Sequence, residues 1–281
     1  MKILSSDLDV VETPRLLRIW VWCQIWVHVI CGVCTLAFVF PFLNRRNKDR
    51  KIQAWSKRLL KIFNIELVVQ DAVLLGNTPH LIASNHISWL DIHVINAFKP
   101  IRFVAKSEVE GWPIFGWMAK QLGTVFIRRD SARQARQVVG RMAEVLKTES
   151  ICIFPEGTST IGDSVLPFKP NLFESAIAAN VPVFPLALQY LSKVTGLRSE
   201  SPAFIGDMGL LESMSRVIKN RSLVAHIRLF PAYSDDLLPN ADRKQLANYS
   251  QESISKSLEK ASVTKVSYPW DTKLVTPQGK K

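Results

Sequence analysis

The sequence predicts an α/β fold, a mostly parallel central sheet flanked by helices, led by an N-terminal hydrophobic, membrane-associated helical segment. Three observations predict it. From Ile19 to Leu43 the chain runs for 25 residues without an Asp, Glu, Lys or Arg. Beyond Phe63, short apolar runs of strand length alternate with stretches of helical periodicity. Several of those runs end in a polar turn, where sheets of this class carry their ligands.

The N-terminal run comes first in the chain. As a helix it is about 37 Å long at 1.5 Å per residue, enough for a hydrocarbon core of about 30 Å. Trp20, Trp22, Trp26, Phe38, Phe40 and Phe42 lie all round it, unlike the core helix of a soluble protein. A cleavable signal peptide does not fit, because the positive charge follows the run and no small-residue cleavage site ends it. The length suits a single span. Gln24 and His28 on one face, with Arg15 and Arg18 ahead, suit a helix lying partly in one leaflet, or a helical hairpin completed by residues up to Phe63.

Charge and composition narrow the partners. The 281 residues, 47% apolar and 21% charged, exclude a disordered chain, and four cysteines exclude a small disulfide scaffold. Cys23, Cys31 and Cys34 lie in the apolar run and Cys152 in another, so reduced thiols and a cytosol-facing protein are expected. No cysteine or histidine spacing matches a zinc site. A net charge of +12 suits nucleic acid, a membrane surface or an anionic substrate. Between Asn44 and Lys61, eight basic residues accompany only Asp49, directly after the apolar run. That placement favours a lipid bilayer over nucleic acid. By the positive-inside rule it also puts the remainder of the chain on the cytoplasmic face.

The following elements are read in order. Ile65–Val69, Leu81–Ser84, Ile101–Val104, Thr124–Ile127, Ile151–Phe154, Val183–Leu188 and Leu223–Leu229 are expected strands. Trp89–Phe98, Pro113–Gln121, Ala132–Leu146 and Leu172–Ala179 are expected helices, followed by a weakly amphipathic one over Ala241–Ala261. The chain thus divides into an anchoring region, 1–63, an α/β domain, 64–240, and a C-terminal helix with a polar tail, 241–281.

Four segments carry the chemistry. In Asn85-His86-Ile87-Ser88-Trp89-Leu90-Asp91, His86 falls just past a strand and Asp91 in the first turn of the next helix. A carboxylate there fixes one imidazole tautomer and leaves the other nitrogen to take a proton. No Gly-x-Ser-x-Gly nucleophile elbow occurs, so the proton comes from a substrate hydroxyl. In the second segment, Thr124–Ile127 delivers Arg128 and Arg129 to the same sheet edge, where guanidinium groups bind phosphate in bidentate fashion. The third, Phe154-Pro155-Glu156-Gly157-Thr158-Ser159, offers a carboxylate for substrate hydroxyls, a glycine for close approach and two hydroxyl donors. The fourth, Val181-Pro182-Val183-Phe184-Pro185, reads as an edge or irregular strand because its prolines limit ladder donation.

In this order the four segments resemble the sequence blocks of the glycerolipid acyltransferase family, the lysophospholipid acyltransferases typified by bacterial 1-acyl-sn-glycerol-3-phosphate acyltransferases. Asn85-His86-x4-Asp91 is similar to the first block and Phe126-Ile127-Arg128-Arg129 to the second. Phe154–Thr158 is similar to the third and Val181–Pro185 to the fourth. Lys106 matches a lysine between the first two. The resemblance implies transfer of an acyl chain from acyl-CoA or acyl carrier protein to the sn-2 hydroxyl of lysophosphatidate, giving phosphatidate. It implies His86 as general base oriented by Asp91, and Arg129, with Arg128, on the phosphate. Glu156, Gly157, Thr158 and Lys106 would meet the substrates. No cofactor or metal is implied, because the thioester is already activated. Phe168-Lys169-Pro170-Asn171 departs from the family's Phe-Lys-x-Gly, with Asn as the residue next most tolerant of a left-handed turn. The departure leaves room for another acceptor, such as lyso-ornithine lipid. A non-catalytic lipid-binding membrane protein is the reading from another class, and intact His86 and Asp91 argue against it.

Overall fold

The apolar runs form one seven-stranded sheet in the computed structural model, which describes residues 12–127, 132–233 and 242–263. The strands are β1 (Ile65–Gln70), β2 (Leu81–Ser84), β3 (Arg102–Lys106), β4 (Val125–Ile127), β5 (Ile151–Ile153), β6 (Val183–Ser192) and β7 (Leu223–Leu229). The helices are α1 (Arg15–Cys34), α2 (Arg45–Phe63), α3 (Leu90–Phe98), α4 (Ser107–Glu110), α5 (Phe115–Gln121), α6 (Ala132–Leu146), α7 (Glu174–Ala179), α8 (Leu210–Lys219) and α9 (Arg243–Val263).

The strand order is β1-β7-β6-β2-β5-β3-β4. Strands β6, β2, β5, β3 and β4 are mutually parallel. The β1–β7 pair runs the opposite way, because β7 meets β6 antiparallel. Strand alternation feeds two cores. Ile82, Cys152, Leu186, Leu188 and Tyr190 pack toward α1, α2, α3 and α8. Leu81, Ala83, Ile151, Ile153 and Val183 pack toward α6, α7 and α9.

One strand differs from expectation. The proline-rich fourth segment opens β6, which is ten residues long, buried throughout and central, between β2 and β7. Pro182 precedes the strand, and its carbonyl accepts the amide of Leu81 at 2.9 Å. The carbonyl of Pro185 accepts from Phe230 at 3.0 Å, so its missing N–H belongs on the side facing β7. That position lies just before the β6–β7 ladder opens at Leu186 and Leu229, so little pairing is lost.

The N-terminal segment forms a hairpin. Helix α1 continues through a π turn, Thr35–Val39, and a 3-10 turn, Phe40–Phe42. Together they make 28 residues long and apolar enough to cross a membrane. Asn44 then caps α2, its side chain accepting the Asn47 amide at 3.0 Å, and Asn64 ends α2 with φ 56°. Gly32 brings the helices together: a Cβ there would stand 2.8 Å from the Trp55 indole nitrogen. Trp55 stacks on His28 at 4.3 Å and donates to the His28 carbonyl at 3.4 Å. Gln53 donates to the carbonyls of Ala97 and Phe98 at 3.3 and 2.8 Å, tying α2 to α3, and Arg45 and Arg102 both pair with Glu149. Val21, Ile25, Val29 and Leu36 are buried, whereas Leu16, Ile19, Trp20, Val27, Ile30, Phe38 and Phe42 remain exposed.

This packing makes Gly32→Leu an overpacking substitution, expected to cost about 1–3 kcal/mol. Thermal unfolding in detergent should show the midpoint several degrees lower. An unchanged midpoint would mean that the α1–α2 contact contributes little to the fold.

Candidate active site

Strands β2 and β5 are neighbours, but their chains leave in opposite directions, to α3 on one face and toward α7 on the other. Such a switch point opens a crevice at the carboxyl edge of a parallel sheet. The first and third segments meet there. Asn85 is fully buried and behaves as one more rung of the ladder. Its Oδ1 accepts the Leu188 amide at 2.8 Å and its Nδ2 donates to the Leu188 carbonyl at 2.9 Å. His86 follows, fastened at both ends of its backbone by the β5 loop. Its N–H donates to Glu156 Oε1 at 2.7 Å, and its carbonyl accepts the Thr160 amide at 2.9 Å.

Asp91, fully buried in the first turn of α3, gathers four donors. Oδ2 accepts from His86 Nδ1 at 2.8 Å, from the Ile87 amide at 2.7 Å and from the Ser88 amide at 2.9 Å. Oδ1 accepts from the Tyr190 hydroxyl at 2.8 Å. Four donors suit an acceptor-only carboxylate, and the helix N-terminus adds its positive field. The network assigns the proton of His86 to Nδ1 and leaves a lone pair on Nε2. The imidazole is 22% exposed and stacks on Phe154 at 4.0 Å, with 17° between the rings. Burial and the neighbouring carboxylate push the Tyr190 phenol well above its ordinary range, so it stays a donor.

Glu156 is also buried, and both of its oxygens meet backbone: Oε1 the amide of His86 and Oε2 that of Leu166, at 2.9 Å. Burial raises its pKa, while the Leu166 and His86 amides draw it back. In this geometry its carboxylate braces the His86 loop. Gly157 has φ +76°, just past a turn closed by its own amide on the Phe154 carbonyl at 3.0 Å. Thr158 is exposed on that turn, and Ser159 donates to the Phe204 carbonyl. Lys106 ends β3, exposed at the same sheet edge. Arg128 and Arg129 lie outside the described residues. The strand that leads to them, β4, is three strand positions from β2, about 14 Å at typical spacing. Asn171 sits in a 3-10 turn, Pro170–Phe173, and is not among the residues with positive φ, so its site demands no left-handed backbone.

Sequence reasoning missed Tyr190, 99 residues from its partner. The signal for it was a phenolic hydroxyl in the strand Val183–Ser192, two residues beyond the expected strand end at Leu188. It also missed a cavity of about 410 Å³ between α1, α2, α3 and α5, lined by Val29, Phe40, Trp55, Phe103, Phe115 and Met118 among others. Phe154 links the two features, stacking on His86 and, at 6.0 Å, on Phe103 in the cavity wall. His93 also lines the cavity, and burial lowers its pKa to about 3, which keeps its imidazole uncharged.

The chain is similar to known proteins. Residues 59–189 match the family model described as Acyltransferase. A lyso-ornithine lipid O-acyltransferase of Pseudomonas aeruginosa is 36% identical over 213 residues, covering 75% of this chain and 79% of that protein. A 1-acyl-sn-glycerol-3-phosphate acyltransferase of Neisseria gonorrhoeae is 34% identical over 210 residues, covering 74% and 81%. The crystal structure of the 1-acyl-sn-glycerophosphate acyltransferase PlsC from Thermotoga maritima superposes with a TM-score of 0.65 at 19% identity, covering 89% of this chain and 96% of that one, and shares the fold. With a family model that matches the segment holding the His86–Asp91 pair, and relatives that align over three quarters of its length, the chain belongs to the lysolipid acyltransferase family.

Proposed function

We propose that this protein transfers a fatty acyl chain from a thioester of coenzyme A or acyl carrier protein to the sn-2 hydroxyl of lysophosphatidate, at the cytoplasmic face of a membrane. The observation that carries this reading is the His86–Asp91 pair, with four donors on one buried carboxylate and Nε2 left open. His86 Nε2 takes the proton of the acceptor hydroxyl as its oxygen attacks the thioester carbonyl. The tetrahedral intermediate then expels the carrier thiolate, which the imidazolium protonates. Asp91 fixes the tautomer and supports the imidazolium. Glu156 and Tyr190 are positioning residues, acting through the His86 backbone and through Asp91. Arg128, Arg129 and Lys106 supply positive charge for the phosphate, and Gly157 and Thr158 border the acceptor. The apolar cavity, reached past Phe154 and Phe103, takes an acyl chain. The exposed apolar face of α1 and the basic residues of α2 hold the protein at the bilayer.

A second acceptor, lyso-ornithine lipid, is favoured by one observation: the Pseudomonas aeruginosa relative of that name aligns over as much of the chain, at 36% identity, as the lysophosphatidate relatives do. Assaying the purified protein against both lysolipids, each with both thioester classes, separates the two. Turnover of lyso-ornithine lipid alone would replace lysophosphatidate as the acceptor, and no turnover of any lysolipid would remove the catalytic reading.

His86→Ala should lower acyl transfer by about 10²–10⁴-fold while the thermal midpoint holds, and near-normal turnover by the folded variant would remove the base. Tyr190→Phe strands an acceptor oxygen in the core. It should cost about 1–3 kcal/mol in denaturant unfolding, with a smaller loss of rate than His86→Ala. In Glu156→Gln the amide NH₂ opposes the amide of His86 or of Leu166. It should reduce kcat more than KM, and an unchanged kcat would show that the brace is dispensable. Arg129→Ala should weaken use of a phosphorylated acceptor by about one to two decades, with donor kinetics little changed and only partial rescue by lysine.

A further inference from the structure

The segment between α4 and α5, Gly111-Trp112-Pro113-Ile114, is built at a cost. The Phe115 amide donates to the Pro113 carbonyl at 2.6 Å, closing a three-residue turn centred on Ile114. Ile114 has φ 64° and ψ −59°, the γ-turn of the rare, strained hand. A β-branched residue with positive φ is an outlier, and outliers persist only where the surroundings enforce them. Gly116 belongs to that enforcement: a Cβ there would stand 2.3 Å from the Glu110 carbonyl, and its amide donates to the Trp112 carbonyl at 3.0 Å.

The turn sets Ile114, 46% exposed, between Trp112 at 36% and Trp117 at 38%. Of the charged residues on α4 and α5, Lys120 pairs with Glu110 at 3.3 Å and Glu108 accepts from the Ser107 hydroxyl at 3.2 Å. The helix that follows the turn packs on the N-terminal hairpin. Met118 packs against Leu36 and Phe40, which sets α5 beside the end of the N-terminal helix, where Phe38 and Phe42 are exposed. Behind the turn, Val109, Trp112 and Phe115 line the apolar cavity.

We propose that the α4–α5 turn is a second membrane-inserted element, seated in the acyl-chain region of the bilayer beside the N-terminal helix, so that the cavity opens sideways into lipid. The proposal rests on the membrane-bound reading given above. Tryptophan flanking an aliphatic residue suits the boundary between headgroups and chains. A second copy of this chain is the competing occupant, but three side chains fall well short of the roughly 800 Å² that each partner buries in a stable interface.

The test places one environment-sensitive fluorophore at a time on the full-length protein in phosphatidylethanolamine–phosphatidylglycerol vesicles. Cys23, Cys31 and Cys34 are replaced by Ala; Cys152 stays, buried and with its thiol pushed up by that burial. Labels go on Ile114→Cys and, as a second site that relieves any local misfolding, Trp117→Cys. Phe38→Cys reports on the N-terminal helix. Ile177→Cys, equally apolar and 40% exposed on α7 across the sheet, is the aqueous control. Labels at 114 and 117 should be quenched several-fold more by nitroxides on lipid acyl chains than by aqueous iodide, with the reverse at 177. Iodide quenching at both 114 and 117, with lipid quenching at 38, would overturn the proposal and leave the anchor standing. Iodide quenching at 38 as well would overturn the anchor and the proposal together. Shielding of 114 and 117 from both quenchers would mean that another protein surface covers the turn, and would overturn it too.

Discussion

A carboxylate withdrawn entirely from water, as that of Asp91 is, costs several kcal/mol unless donors replace the water it loses. Here His86, Ile87, Ser88 and Tyr190 replace it. Two of those donors are backbone amides of the loop that carries His86, so satisfying Asp91 also folds that loop into its working shape. The hydroxyl of Tyr190 is delivered by β6, which pairs with β2 and, through Asn85, extends that pairing to the edge of the crevice. The core and the site are therefore one network: the buried central strands β2 and β6 also position the groups that hold His86.

The two sides of the crevice are built differently. On the polar side, the loops after β2 and β5 are cross-tied by Glu156 and Thr160, which leaves His86 little freedom. On the apolar side, the cavity is walled by α1, α2, α3 and α5, whose contacts around Phe103 and Met118 are aromatic and aliphatic. Such contacts lack direction and adjust more readily than hydrogen bonds. The arrangement suits a rigid centre served by a compliant apolar wall.

Much of this was legible in the chain because it is local. His86 and Asp91 are five residues apart, and a strand followed by a helix start is enough to bring them together. The strands and their mostly parallel order follow from apolar runs alternating with helices. What was not legible joins distant segments. The partners of Glu156 are His86, 70 residues away, and Leu166, in an irregular stretch without periodicity. The position of β6 was misread because a proline costs a strand only the bond its amide would have made. At Pro185 that bond falls where β7 has already ended, a fact about another strand. The hairpin of α1 and α2 was one of several arrangements that length and charge allowed, and it took Gly32 against Trp55 to select it.

Asp91 and Glu156 take four of their six hydrogen bonds from main-chain amides, those of Ile87 and Ser88 on one side and of His86 and Leu166 on the other. Every amino acid but proline carries such an amide. At Ile87, Ser88 and Leu166 the site therefore asks for a backbone path and places few demands on the side chain, which is left to packing. Demands of identity fall on a handful of letters, separated by positions free to drift. A centre assembled in this way leaves a sparse signature, and a divergent chain can keep its chemistry while changing most of the text around it.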